Sequence, residues 1–369
     1  MSSQLLNYSL GLDCSSEDFK VCFINFDTEQ KHVIKGSRKF DNRPGCFEEL
    51  IVWMEKRLKD KNVPLRITME VTGVYHERLA HFLYERGYEI SVVTPNKAKH
   101  YLRSLGQKTK TDKMDALGLA RMGAQQRLKN WQPPSEHMLK LKRLTRHREA
   151  VQKQITMTSN QLHALSHARG DNQEVMDMKR SLLVFLRQQV QQIDKKLQEV
   201  LAEDEQISKK VKAIADSLDG VGELTMICLV AETDGFKHFR SQSQLTSYAG
   251  YDVVANQSGK HNGKSKISKQ GNTHIRRALH MPALNVVRYE VGKFPALQER
   301  VYQRTKIKMK GYVAVQRKLL CLIYALWKNN TVFEKNYGET QSQDVQQSET
   351  AHLNIGQCEP EVPLSGVAA

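Results

Sequence analysis

Tyr8-Ser9-Leu10-Gly11-Leu12-Asp13 and Leu65-Arg66-Ile67-Thr68-Met69-Glu70 are the stretches on which the reading of this chain turns, with Asp112-Lys113-Met114-Asp115 as their complement. Each of the first two is a short apolar run closing on an acid, the pattern of a strand with a carboxylate at its C-terminal end. Asp112 and Asp115 stand where a helical pattern begins, and residues at i and i+3 share a helix surface. Two strand ends and one helix face can converge on one point, so these acids are expected together. Clustered carboxylates repel one another unless divalent cations neutralise them, and an all-oxygen donor set selects Mg²⁺ or Mn²⁺. Two such ions about 4 Å apart clamp the attacking and leaving oxygens of a phosphoryl displacement. The pattern implies chemistry on phosphodiesters.

Outward from these stretches, the first part of the chain alternates strands and helices. Val21–Phe26 and Val33–Phe40 read as a hairpin-like pair around Asp27-Thr28-Glu29-Gln30, and Phe47–Leu58 as a helix. After Glu70 a helix is expected from near Gly73 to Gly87, then a strand Tyr88–Val93 stopped by Pro95, and a helix Asp112–Gln125 carrying the last two acids. Three strands, helix, strand, helix, strand is the RNase H-type order, so residues 1–130 are expected to form an α/β domain. A different α/β sheet with fortuitously placed acids is the rival reading.

Pro133-Pro134 then breaks the chain, and helical periodicity takes over. Leu186, Val190, Ile193, Leu197 and Val200 repeat at coiled-coil spacing, with Leu144, Val151, Ile155, Leu162 and Leu165 on a partner helix and Gly170-Asp171-Asn172 as the turn. Residues 131–210 are expected to be a helical coiled-coil spacer, either a hairpin within one subunit or a dimer seam. Residues 211–337 read as a mainly α-helical domain opening on Leu218-Asp219-Gly220-Val221-Gly222. There Gly220 and Gly222 would free backbone N–H groups to meet a phosphate, as in a helix-hairpin-helix element. Residues 338–369, rich in Gln, Ser and Glu, read as a disordered tail.

The 369 residues carry a formal net charge of +16, which points to a polyanionic partner. The cations cluster. Val253–Tyr289 contains no acid but includes Lys260, Lys264, Lys266, Lys269, Arg276 and Arg277, and Arg300–Phe333 is a second acid-free stretch. Two basic stripes in one half read as a surface for a nucleic-acid backbone. The six cysteines form no Cys-x-x-Cys and sit at no zinc-finger spacing, and the apolar stretch Cys321–Trp327 is too short for a bilayer span. A cytoplasmic protein with reduced thiols, a DNA partner and no membrane is expected.

Gln257-Ser258-Gly259-Lys260-His261-Asn262-Gly263-Lys264 is glycine-rich and basic. As a P-loop it fails, because three residues rather than four separate Gly259 from Gly263. As a nucleophile loop it would expose Ser258 beside cations able to hold a phosphate, but on local grounds alone an ordinary turn serine is the stronger reading.

Met69-Glu70-Val71-Thr72-Gly73-Val74-Tyr75 and Lys108–Ala116, together with Asp13, resemble the DEDD motif of a family of bacterial insertion-sequence transposases, relatives of the Piv-type DNA invertases. Phe239-Arg240-Ser241, Ser247-Tyr248-Ala249-Gly250, Ser258-Gly259, Lys266–Asn272 and Arg276–Leu279 resemble, in order and spacing, that family's second signature. The resemblance spans residues 8–330. It implies a first domain similar to the Holliday-junction resolvase RuvC, Asp13, Glu70, Asp112 and Asp115 as metal ligands, and Ser258 as nucleophile. It further implies a homo-oligomer, dimer to tetramer, and a structured guide RNA in the transposase branch. One departure stands out: Tyr251-Asp252-Val253-Val254 replaces the family's usual Gly-Leu-x-Pro. The expected activity is therefore cutting and rejoining of DNA. The alternatives are an invertase without guide RNA, a nuclease that only hydrolyses, and a non-catalytic binding protein.

Overall fold

The computed structural model describes residues 3–71, 73–106, 112–254, 257–258, 261–262 and 266–334, with backbone alone at 112–113, 257–258 and 261–262. Lys260, Lys264 and the expected tail 338–369 lie outside the described residues. Two compact units are present, Met1–Pro133 and Pro134–Ala369.

The first unit runs β1 (Leu5–Cys14), β2 (Asp18–Asp27), β3 (His32–Asp41), α1 (Pro44–Glu55), β4 (Leu65–Glu70), α2 (Glu77–Glu85), β5 (Ile90–Val93), α3 (Pro95–Ser104) and α4 (Asp112–Gln125). Its sheet is ordered β3-β2-β1-β4-β5, antiparallel from β3 to β1 and parallel from β1 to β5, the RNase H-type arrangement. Two local expectations shift. Gly73 adopts φ +57, a left-handed conformation that interrupts a helix, so α2 starts at Glu77 rather than near Gly73. Pro95 does stop β5, but it also opens α3, where a missing N–H costs nothing.

Alternation along β1 builds two layers. Tyr8, Leu10, Leu12 and Cys14 face a core shared with Phe47, Leu50 and Met54 of α1 and Leu79, Ala80 and Leu83 of α2. Asn7, Ser9 and Gly11 face α4, which meets the sheet through Ala116, Ala120 and Ala124 packed with Cys22, Ile24 and Phe26. Alanines four apart form a stripe without bulk, and that brings the helix close.

The second unit begins with α5 (Glu136–Ser166) and α6 (Gln173–Ala202), two long helices joined by a six-residue connection and packed on each other. Leu186, Ile193, Leu197 and Val200 are buried along α6. The helices α7 (Glu205–Ser217), α8 (Glu223–Thr233) and α9 (Gln242–Tyr248) follow. Four two-residue strands come next, β6 (Val253–Val254), β7 (Gln257–Ser258), β8 (His261–Asn262) and β9 (Lys266–Ile267). The unit closes with α10 (Thr273–Ala278), α11 (His280–Arg288), α12 (Phe294–Thr305) and α13 (Lys308–Asn329). Helix α8 buries Met226, Ile227, Leu229, Val230 and Ala231, apolar on nearly every side because it runs through the middle of the unit.

Residues 131–210 and 211–337, expected as separate domains, share one core: Met138, Leu141 and Leu197 of the hairpin cluster with Val211, Met226 and Leu319. Helix α5 packs on α8 and α6 on α7 in addition to each other, which joins the hairpin to the later helices.

Candidate active site

Asp13 and Glu70 become neighbours through strand register. β1 and β4 pair in parallel with Leu12 opposite Met69, so the next residue on each strand is the acid. Both point to the α4 side, since Asp13 follows Gly11 by two residues and Glu70 follows Thr68 by two. Asp13 also lies opposite Lys20 of β2, which puts a cation on the same face. Both acids are half-buried. Burial and the Asp13 charge push the neighbouring Cys14 thiol up to about 12, so it stays protonated.

Helix α4 runs antiparallel to β1 as a ladder. Asn7 Nδ2 donates to the Ala124 carbonyl at 3.2 Å and Ser9 Oγ to the Ala120 carbonyl at 2.7 Å. A Cβ added to Gly11 would overlap the Ala116 carbonyl and the Ala120 amide nitrogen, so only glycine permits this approach. Two strand residues advance about 6.6 Å and four helix residues about 6.0 Å, so the ladder keeps step. Carried one rung further, it pairs Asp13 with residue 112, the first of α4. Arg66 of β4 secures the other end, donating to the carbonyls of Ala124 at 3.1 Å and Gly123 at 3.3 Å. Asn42 ties the turns beyond the two strand ends together, donating to Ser15 O at 2.8 Å and Tyr75 O at 3.0 Å.

Asp13, Glu70 and the start of α4 thus occupy one corner of the first unit, with Asp115 half-buried one turn along the helix. The side chain of Asp112 lies outside the described residues. Among the described residues no three His, Cys, Asp or Glu side chains are grouped closely enough to hold a metal ion. The donor chemistry of this corner, carboxylate oxygens on elements that meet at their ends, fits a hard divalent cation.

In the second unit the signature stretches close on one another. Asn272 N donates to Tyr248 O at 2.7 Å, Lys269 N to Gly250 O at 3.1 Å and Ser268 N to Asp252 O at 2.7 Å. A Cβ on Gly271 would fall 2.5 Å from the Gly250 nitrogen and overlap Tyr248 O. Arg276 Nη1 donates to Ala249 O at 2.7 Å, capping the end of α9. Beyond this knot the described residues form two short antiparallel pairs, a ribbon in which Val253 stands opposite Ile267 and Ser258 opposite His261. Lys266 and Lys269 are exposed at its base. Tyr251, where the chain departs from the family pattern, is fully buried and donates its hydroxyl to Gln316 at 3.0 Å.

A buried carboxylate that the sequence does not reveal anchors the knot. The Glu232 side chain is fully buried on α8. Arg146 of α5 grips it with two hydrogen bonds, at 2.6 and 2.9 Å, and Asn272 Nδ2 adds a third at 2.7 Å. Burial alone would raise the Glu232 pKa, but the hydrogen bonds from Arg146 and Asn272 and the charges of Arg146 and Lys142 outweigh it and hold the carboxyl below its ordinary value. Tyr248 completes the network, donating to the Glu232 carbonyl at 3.2 Å. Arg277 pairs with Glu149, which also meets His274 Nδ1 at 2.6 Å.

Helices α7 and α8 flank the Gly220-Val221-Gly222 turn. Gly220, at φ +91, fits against α11, where a Cβ would stand 2.8 Å from Asn285 Cβ. Gly222 caps α8 with open space around it.

Residues 10–166 match the model of the DEDD-type IS110 transposases, and residues 212–299 match that of the IS116/IS110/IS902 transposase family. The pilin gene-inverting protein of Moraxella bovis is 30% identical over 334 residues, covering 89% of this chain and 98% of that protein. The Moraxella lacunata protein of the same description matches equally. Among solved structures, Thermus thermophilus RuvC aligns with 34% of this chain at 12% identity and a TM-score of 0.27. The same resolvase in complex with a Holliday junction substrate aligns at 0.25, and neither likeness is close enough to carry weight. Two family models in the expected order, and a relative matched over nearly its whole length, place this chain in the IS116/IS110/IS902 family of transposases, as a DNA-recombining enzyme.

Proposed function

We propose that this enzyme cuts and rejoins DNA through a metal site formed by Asp13, Glu70, Asp112 and Asp115 and a covalent phosphoserine at Ser258. The observation that carries the reading is the meeting of Asp13 and Glu70 on adjacent strand ends beneath the first turn of α4. Mg²⁺ or Mn²⁺ held there would polarise the scissile phosphate. The four acids orient the cation, and Lys20 tempers their mutual repulsion.

Ser258, near the end of the ribbon, attacks phosphorus. Its proton passes to a base, the phosphorus–oxygen bond to one deoxyribose breaks, and that sugar oxygen leaves. The phosphodiester becomes a phosphoserine ester of similar energy, so the reverse attack by a new sugar hydroxyl rejoins strands without ATP. Lys260, Lys264, Lys266 and Lys269 hold the phosphates around the serine, with Arg277 beside them and Arg276 bracing the base. The turn at Gly220 and Gly222 adds a backbone contact at the start of α8, as a helix-hairpin-helix would. The long α5–α6 hairpin acts as a coiled-coil element, and the exposed apolar residues Val175, Met178, Leu182 and Phe185 on α6 support self-association into a dimer or tetramer. A structured guide RNA supplies site choice, and the enzyme works in the cytoplasm at the nucleoid.

The test is denaturing electrophoresis of the protein with labelled site DNA. A protein–DNA adduct mapping to Ser258, absent in Ser258→Ala while DNA binding persists, is expected. Free cut ends without an adduct would replace this reading with hydrolysis. The Moraxella pilin gene-inverting relatives favour a second outcome of the same chemistry, inversion of a DNA segment, for which the rival mode is an invertase without guide RNA. Co-purifying RNA whose removal abolishes activity supports guidance, and unchanged activity after ribonuclease supports the invertase mode.

A further inference from the structure

The second unit carries a groove of about 1050 Å³ between α12, α13 and the base of the ribbon at Val253, Lys266 and Ile267, away from Glu232 and its partners. Its floor is apolar, built from Leu297, Val301, Val313, Leu322 and Phe333. Its lip exposes Ile307 and Met309, 45% and 52% accessible. Lys293, Arg300 and Arg304 rim it from the α12 side, and Lys310, Arg317 and Lys318 from α13. Lys266 closes one end, and among the described residues no acid lines the groove. An uncompensated ring of cations over an exposed apolar floor is costly on both counts, and an occupant that is acidic and apolar together would relieve both.

The chain supplies such a segment. Residues 335–369 hold Glu339, Asp344, Glu349, Glu359 and Glu361 against one lysine, Lys335, in a protein of net charge +16. Apolar residues are interspersed, with Leu353 and Ile355 between Glu349 and Glu359, and Val362 and Leu364 just after Glu361. The segment begins two residues beyond Phe333, itself part of the groove wall, so tethering places it at an effective concentration on the order of millimolar. A duplex would satisfy the cations but leave the aliphatic floor uncovered, because its own apolar surface is stacked inside. We propose that the C-terminal segment 339–369 docks in the α12–α13 groove of its own chain and competes there with nucleic acid.

Zero-length carbodiimide crosslinking of the full chain, with isotopically light and heavy protein mixed, tests this. The expected products join tail carboxylates to Lys266, Lys293, Lys310 or Lys318 within one copy. Removing residues 335–369, which deletes no described element, should tighten binding of a single-stranded oligonucleotide roughly 3- to 10-fold at low salt. A peptide of residues 339–369 should bind the shortened protein and lose that binding when Arg300, Lys310 and Arg317 are changed to Glu. Tail crosslinks outside the groove, or only between copies, would overturn the proposal. So would unchanged oligonucleotide affinity after truncation combined with no peptide binding, which would leave the groove to a nucleic-acid strand.

Discussion

Asp13 and Glu70 stand half-buried at their strand ends, while Ser9, Asn7, Arg66 and the alanine stripe hold α4 above them. In the second unit Tyr248, Gly250, Gly271, Asn272 and Arg276, all within the family's second signature, spend their polar groups and their lack of bulk on one another. The residue proposed for chemistry there stands apart on a ribbon that this closure braces. The two motif strings mark different requirements. One is a set of charges whose value lies in being placed together, and the other is a backbone closure that only small or hydrogen-bonding residues permit.

The largest effect should come from Asp13→Ala, which is expected to lower Mg²⁺-dependent strand cleavage by on the order of 10³-fold or more. Its thermal midpoint should hold or rise, because carboxylate repulsion is relieved. A variant that unfolds while retaining specific activity would make the first unit's acids structural and erase the contrast. Glu232→Ala should do the opposite, destabilising the second unit by about 2–3 kcal/mol, since it strips Arg146 and Asn272 of their partner while Arg146 keeps partial access to water.

That contribution has a definite pH sign. The Glu232 pKa is lowered in the folded chain, so its stabilisation is fully present above the ordinary glutamate range and is lost as pH falls through the lowered value. Acid unfolding followed by calorimetry should show wild type and Glu232→Gln converging at low pH. A gap that widens on acidification would contradict the network. Gly271→Ala should cost about 1–3 kcal/mol, because its methyl group meets backbone rather than a movable side chain. Hydrogen exchange should localise the loosening to residues 248–272. The smallest change, Tyr248→Phe, should cost about 1 kcal/mol by deleting its bond to the Glu232 carbonyl. If it abolished cleavage with stability intact, Tyr248 would belong with the chemistry.

The order of the strands in the first unit, with α1, α2 and α4, was legible in the sequence because alternation is a local property repeated every two residues, whereas α3 after Pro95 was not expected. Asp13 and Glu70 could be read as strand ends, and Gly271 and Asn272 as parts of a motif, without knowing what they touch. Register and approach were decided only in three dimensions. The parallel pairing that seats Asp13 beside Glu70, and the ladder that brings α4 over them, depend on Gly11 and on Ala116, Ala120 and Ala124, which carry no charge pattern to notice.

Nothing in the sequence marks Glu232 as buried, because its partner Arg146 lies 86 residues away and local periodicity holds no information about such a pairing. The same limit explains Arg276. Its place in a basic stripe suggested a phosphate contact, and nothing local indicated that its Nη1 also donates to the Ala249 carbonyl. Composition and periodicity report the charge and face of each segment. Which group satisfies a buried charge or an open carbonyl is settled only when distant segments pack, because desolvation is imposed by the whole fold and not by neighbours in sequence.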